Sequence, residues 1–445
     1  MAPRPIEELR SAAEQTPPDR ERHVDLLRAW AITFVVFGHW LVAAVTEENG
    51  MLAESNALGE ITWIRPLTWV FQVMPLFFLV GGYANAASIR SHHERGGRDI
   101  GWIVGRHERI VRPVTVFLAS VVVAALLVRR FGADPEQTGR AVWAATVPLW
   151  FVVVYVVVLT LTPVAVRAHE RWGLRVPIVV GAVALAADAA RFRTGIEEVA
   201  FVNHLLVWFV IHQLGIAWRQ GRIAATPRVG GIMMTGGLVA AVALVALGPY
   251  PVSMVAVPGA DIDNTAPPSA ALLALALAQC GLALALRDTI QQWLQRPRPW
   301  IVVVGVNSVI LTIFAWHMAA AVMAAVALHG SGLVPITSIG SAAWWGWRIV
   351  WLMACAIVLT ILVVVAARAE RSTPPMGDPS PLGAVAAAAS GIAVIGIVAG
   401  MLGIALAGPA DHGPAGLPTA TIASYGVGVL ILMAVRRHAG HTPTR

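Results

Sequence analysis

Residues 23–45 read HVDLLRAWAITFVVFGHWLVAAV. Asp25 and Arg28 stand where this stretch begins, and beyond them only Thr33 and His39 interrupt an apolar run of helical length. Ten residues separate Arg28 from His39. At about 100° per residue the intervening steps turn roughly 1100°, about 20° past three full turns, so the two side chains share one helix face. The rise between them is about 16 Å, roughly half of a ~30 Å hydrocarbon core. With Arg28 at the membrane edge, His39 falls near the midplane. An ionisable side chain at that depth costs about 3 kcal/mol or more without a partner or water, so its presence points to function.

The whole chain has the composition this stretch implies. It is 57% hydrophobic and 13% charged, about half the charge of an ordinary soluble protein. A polytopic membrane protein is expected. All 32 basic residues are arginine, and the net charge is +7. The arginines are spread over short loops without a basic domain, so membrane topology explains them better than nucleic-acid binding does. Cys280 and Cys355 lie in separate apolar segments and read as buried filler. The first twenty residues are polar and mixed in charge. The first apolar run is therefore expected to stay as an anchor rather than act as a cleaved signal peptide.

Apolar runs of spanning length occur near 29–45, 66–86, 112–128, 143–166, 174–190 and 199–218, and again near 229–248, 270–286, 300–328, 344–367, 382–408 and 419–435. The expected fold is thus all-α, with about twelve transmembrane helices. Placing the N-terminus in the cytoplasm assigns most arginines to inside segments, including Arg106, Arg109 and Arg112, and puts both termini inside. The segment 46–65 and the longer 249–269 loop, GPYPVSMVAVPGADIDNTAPP, then face outward. The latter reads as a connector, with room to touch a polar substrate. The cluster of Asp188, Arg191, Arg193, Glu197 and Glu198 reads as a solvated outer turn with ion pairs. Residues 1–22 form a cytoplasmic tail and 23–371 the membrane domain. The Pro-rich RSTPPMGDPSP from Arg371 marks a boundary before 372–445, a linker with two extra helices.

Polar residues inside the spans limit the chemistry. WVFQVMPLFFLVGGYANAASIR carries Gln72, Gly81, Gly82 and Asn85, a pattern suited to close helix packing in which Asn85 also has the means to orient a neighbour. Arg109 and Arg112, with Arg106 nearby, begin the third span. A guanidinium pair one turn apart suits phosphate or pyrophosphate, although by itself the pair is explained more simply by topology and lipid head groups. His204 and His212 are about 80° apart around their helix, which disfavours a metal pair, and no HExxH or CxxC supports a metal. In VGVNSVILTIFAWHMAAAV, His317 stands alone on an apolar face, where a neighbouring helix ordinarily satisfies it.

Taken together, these residues resemble the acyltransferase 3 family of multi-spanning membrane enzymes that O-acylate sugars and other surface molecules. VDLLRAWAITFVVFGHW matches that family's opening, in which an Arg and a His stand ten residues apart, here Arg28 and His39. FFLVGGYANA, the Arg109–Arg112 pair, LWFVVVY and ILTIFAWHM follow in family order, and the resemblance covers residues 23–368, the usual ten spans. Two departures stand out: Gly81–Gly82 replaces a common Ser-Gly, and the last two helices lie outside the usual domain. The resemblance implies an acyl-CoA donor, most often acetyl-CoA, approached from the cytoplasm. Arg28, Arg106, Arg109 and Arg112 would face its phosphates, and no metal is implied. It makes His39 the general base for an acceptor hydroxyl on a glycan, a lipid-linked sugar or a similar molecule, with His317 in support, while Asp25 reads equally as orienting Arg28 or as a helix-start ion pair with it. Residence in the plasma membrane as a multi-pass protein follows from the same reading.

Two other classes compete. A transporter of a small polar solute or glycan precursor would also suit twelve helices with buried His and Asn. It would be marked by pseudo-symmetric halves and matching broken helices, and no internal repeat is legible. A non-enzymatic partner in polysaccharide assembly is the third reading, which inertness toward acyl-CoA would favour.

Overall fold

The computed structural model describes residues 5–48, 50–371, 384–408 and 417–439. Among these, the structure is helical apart from one antiparallel hairpin, Ala43–Glu48 paired with Met51–Asn56, and an isolated bridge. Among the described residues, eight helices are long and apolar enough to cross a membrane, or up to eleven if each of three bent helix pairs is one span. The chain is a multi-pass, all-α membrane protein. The Pro-rich stretch expected at 371–381 lies, beyond Arg371, outside the described residues.

The departures from twelve uniform spans have local causes. The 143–166 run divides at Leu161: Leu149–Thr160 follows Pro135–Thr146 across a 41° bend, and Thr162–Trp172 turns 113° into Arg175–Thr194. Pro163, in the first turn of its helix, favours a new start there. The 300–328 run breaks at Val309, between Pro297–Ser308 and Ile310–Ala325. Just before that break the Asn307 amide donates to Val303 O at 2.9 Å, and the Ser308 hydroxyl donates to Gly305 O at 2.7 Å. Such side chains compete with the backbone ladder and favour helix ends. The first span ends at Val42, three residues early, because β-favouring Val45 and Thr46 enter the hairpin.

The chain forms two compact units. The first comprises Met1–Gly38, Ile61–Ser88 and Leu161–Ile310. Within it, residues 5–14 of the expected tail form a helix whose Ala13 packs in a cluster with Leu294, Trp300 and Val303. The Trp300 indole also donates to Thr16 Oγ1 at 2.9 Å. Met74–Glu94 and Asn203–Arg219 meet backbone to backbone: a Cβ on Gly82 would lie 1.9 Å from His212 O, and one on Gly215 would lie 2.0 Å from Leu79 O. The small residues of the second span therefore serve packing. Asn85 does reach a neighbour, with Nδ2 3.4 Å from His212 Nε2.

The 249–269 loop of this unit is stapled rather than slack. Asn264 Nδ2 donates to Pro251 O and Ser253 O, Trp69 Nε1 to Val252 O and Gln72 Nε2 to Met254 O, all at 2.7–2.9 Å. Asp188 and Arg191, expected on a solvated turn, are instead an ion pair at 2.8 Å with both side chains 1% exposed. Asp188 is buried because its Oδ2 accepts from the Tyr250 hydroxyl at 2.7 Å and from Ala270 N at 2.8 Å, which satisfies the carboxylate as it leaves water.

The second unit comprises His39–Glu60, Ile89–Thr160 and Leu311–Arg445. Its longest described helix, Asp99–Arg130, runs 32 residues and carries Arg106, Arg109 and Arg112. The final helices Ala384–Leu406 and Thr419–Ala439 fall in this unit. The buried Tyr425 hydroxyl lies 2.8 Å from Thr115 Oγ1 and 3.2 Å from Val111 O.

Candidate active site

The second unit places His39 and His317 together. His39 ends the Arg22–Val42 helix, and His317 lies within Ile310–Ala325, fully buried. Their rings are nearly parallel, and His39 Nδ1 is 2.8 Å from His317 Nε2. His317 Nδ1 is 2.7 Å from Phe314 O. A carbonyl only accepts, so His317 carries its proton on Nδ1 and, when neutral, accepts at Nε2. His39 must then donate through Nδ1–H, which leaves a lone pair on its Nε2. His39 is exposed, so a proton acceptor stands at the open end of a two-histidine chain whose buried end is fixed by backbone.

The residue after His39 is held from three sides. Trp40 Nε1 donates to His317 O at 2.9 Å. Trp351 Nε1 donates to Trp40 O at 2.9 Å, where Arg348 also donates at 3.4 Å, and Arg348 donates to Ala43 O at 2.7 Å. The Trp40 carbonyl lies in the last turn of the Arg22–Val42 helix and that of Ala43 just past its end. A cation there satisfies orphan acceptors and opposes the helix dipole. The sequence reading passed over Trp40, Arg348 and Trp351; the one available signal was an arginine inside the indole-rich WWGWRIVW.

The three arginines of the third span differ in surroundings. Arg106 stacks over Trp102, with its guanidinium 5.6 Å from the ring centroid. Arg109 is exposed. Arg112 lies within electrostatic reach of Glu370, whose Oε2 accepts from Thr312 Oγ1 at 2.8 Å. Glu370 was also missed, since a carboxylate at the end of an apolar run reads as a boundary charge.

In the first unit, Asp25 and Arg28 do pair, at 3.3 Å, but the closer partner of Asp25 is Arg20, with Nε to Oδ2 at 2.7 Å and NH2 to Oδ1 at 3.1 Å. That fork holds the Arg20 guanidinium above its ordinary pKa, chiefly through its hydrogen bond to Asp25. Asp25 is thus shared between two arginines, and Asn307 Nδ2 fixes its carbonyl at 2.9 Å. Arg28 and His39 lie on one uninterrupted helix. Among the described residues, no group of three or more His, Cys, Asp or Glu is arranged to hold a metal.

A comparison with family models finds an acyltransferase domain, that of the acyltransferase 3 family, over residues 22–368. The chain belongs to the acyltransferase 3 family. No curated protein and no solved structure matches it. This acyltransferase therefore carries its family domain across both units, from just before Asp25 to just before Glu370. The final two helices lie beyond the matched segment.

Proposed function

We propose that this membrane acyltransferase moves an acyl group, most simply acetyl, from cytoplasmic acyl-CoA to a hydroxyl of a glycan, a lipid-linked sugar or a similar acceptor. The observation that carries this reading is the lone pair on His39 Nε2, enforced by the Phe314–His317–His39 chain of hydrogen bonds. The acceptor hydroxyl gives its proton to His39 Nε2 as its oxygen attacks the thioester carbonyl. The C–O bond forms, the C–S bond breaks, and the His39 imidazolium returns the proton to the departing CoA thiolate. His317 steadies the imidazolium by accepting from Nδ1–H throughout.

In this reading Arg106, Arg109 and Arg112 bind CoA phosphates on the cytoplasmic side, with Arg109 the most open of the three, and Arg28 adds positive charge on the same side. Asp25 holds Arg28 in place while bonded more closely to Arg20. Both termini are cytoplasmic, the protein resides in the plasma membrane, and no metal takes part. The transporter reading would draw support from bent helices in matching halves. Of the three bent pairs among the described residues, those at 135–160 and 162–194 fall in the first half of the sequence and the one at 270–293 in the second.

The deciding experiment follows labelled acetyl from acetyl-CoA in membranes carrying the intact protein or His39→Ala. Label reaching a sugar or lipid fraction only with the intact protein supports the reading. Equal incorporation by both removes His39 from the mechanism. Absence of acetyl-CoA binding to folded protein favours the transporter.

A further inference from the structure

Beside the end of the His39 helix, within the second unit, lies a pocket lined by Trp344, Trp347, Trp351, Arg348, His329 and Thr337. Ala43 also lines it, four residues beyond His39 and just past the end of its helix. The pocket therefore adjoins the end of the helix that carries the proposed base.

Three features of its wall select a ligand. Trp347, 37% exposed, offers a flat apolar face of the kind that stacks on the C–H face of a sugar ring, while Trp344 and Trp351 are buried and form the wall behind Arg348. His329 donates through Nδ1 to Val334 O at 3.0 Å, so its neutral ring turns an acceptor Nε2 to any hydroxyl nearby. Arg348 is 8% exposed, and its guanidinium sits 3.8 Å from the Trp344 ring centroid and 5.7 Å from that of Trp351. Its two hydrogen-bond partners are the Trp40 and Ala43 carbonyls, which carry no net charge. No carboxylate pairs with it among the described residues. A buried cation without an anion is poorly compensated, and a ligand anion would supply what the chain does not.

Resting on the acyl-transfer reading, we infer that this pocket is the acceptor subsite and that it takes a saccharide bearing an anionic group, a carboxylate or a phosphate. The ring stacks on Trp347, the anion faces Arg348, and a hydroxyl is presented toward His39. A uronic acid and a glycosyl phosphate offer the same chemistry to Arg348.

Full-length protein in phosphatidylcholine nanodiscs is titrated calorimetrically with methyl glucuronide, methyl galacturonide, glucose 1-phosphate and neutral methyl glucoside, and separately with acetyl-CoA. At least one charged sugar binds ten times or more tighter than methyl glucoside, and which one binds separates carboxylate from phosphate. Trp347→Ala and Arg348→Gln each weaken that binding by about 10- to 100-fold and leave acetyl-CoA binding unchanged. Trp347→Ala spares the Arg348 contacts to Trp40 and Ala43, so it reads the pocket even where Arg348→Gln does not fold. Sugar binding unaltered in Trp347→Ala, no binding by any of the sugars while acetyl-CoA binds, or displacement by phosphatidylglycerol alone overturns the subsite. Charged-sugar binding that is lost in Trp347→Ala, with no acetyl-CoA binding to the folded protein, upholds the subsite and defeats the acyl-CoA reading instead.

Discussion

The imidazoles of His39 and His317 lie 13° from parallel with ring centroids 5.0 Å apart, joined edge to edge by a 2.8 Å contact from Nδ1 to Nε2. Because the far nitrogen of His317 is committed to Phe314 O, proton placement along the pair has one neutral solution. It leaves the base nitrogen of His39 at the exposed end.

His39→Ala abolishes the proton acceptor while leaving the helix intact. Acyl transfer falls by about 10²- to 10⁴-fold, the usual weight of general base catalysis. Labelled acetyl transfer measures it, and a loss below about tenfold in folded protein argues against the role.

His317→Ala removes the acceptor that fixes His39, so kcat drops by on the order of 100-fold with little change in the KM for acetyl-CoA. His317→Gln restores part of the rate, since its amide oxygen also accepts from Nδ1–H. A purely packing role would predict no such difference between Gln and Ala.

Arg109→Ala acts on donor binding. The KM for acetyl-CoA rises by about tenfold, the worth of one charge-assisted contact to phosphate, and kcat changes little. A fall in kcat at constant KM would place Arg109 elsewhere in the mechanism.

Tyr250 is a reporter of the stapled 249–269 loop. Burial, reinforced by the Asp188 carboxylate, raises its phenol pKa above the ordinary value. A group raised on folding stabilises the protein fully below its unfolded pKa, about 10 for tyrosine, and loses that contribution as pH climbs through the folded value. Thermal melts therefore show an alkaline decline that is blunted in Tyr250→Phe. That variant is also about 1–2 kcal/mol less stable at neutral pH, because Asp188 loses one donor. Superimposable pH profiles for the two proteins would contradict this.

Gly82→Val drives side-chain atoms into the His212 backbone, where even a Cβ would come within 1.9 Å of the carbonyl oxygen. Overpacking of this kind costs about 1–3 kcal/mol, so the melting temperature falls. Gly231→Val, at a helical glycine with open space around it, serves as the control and leaves it nearly unchanged.

The sequence by itself determined the class of protein. Long apolar runs with few charges admit no stable arrangement except membrane-spanning helices, because lipid leaves backbone groups no other partner. The spacing of Arg28 and His39 was equally legible, since helix pitch is fixed by the backbone, and so were His317 and the arginines as candidates. Tertiary structure decided what those residues meet. His317 lies 278 positions from His39 and Arg348 lies 308 from Trp40, distances over which no local periodicity carries information. Likewise, Asp25 went chiefly to Arg20 rather than Arg28, and Asp188 and Arg191 turned inward rather than to solvent. A charged side chain is read from sequence by its hydration cost alone. Whether a partner offsets that cost depends on which helices pack together, and only the fold settles that.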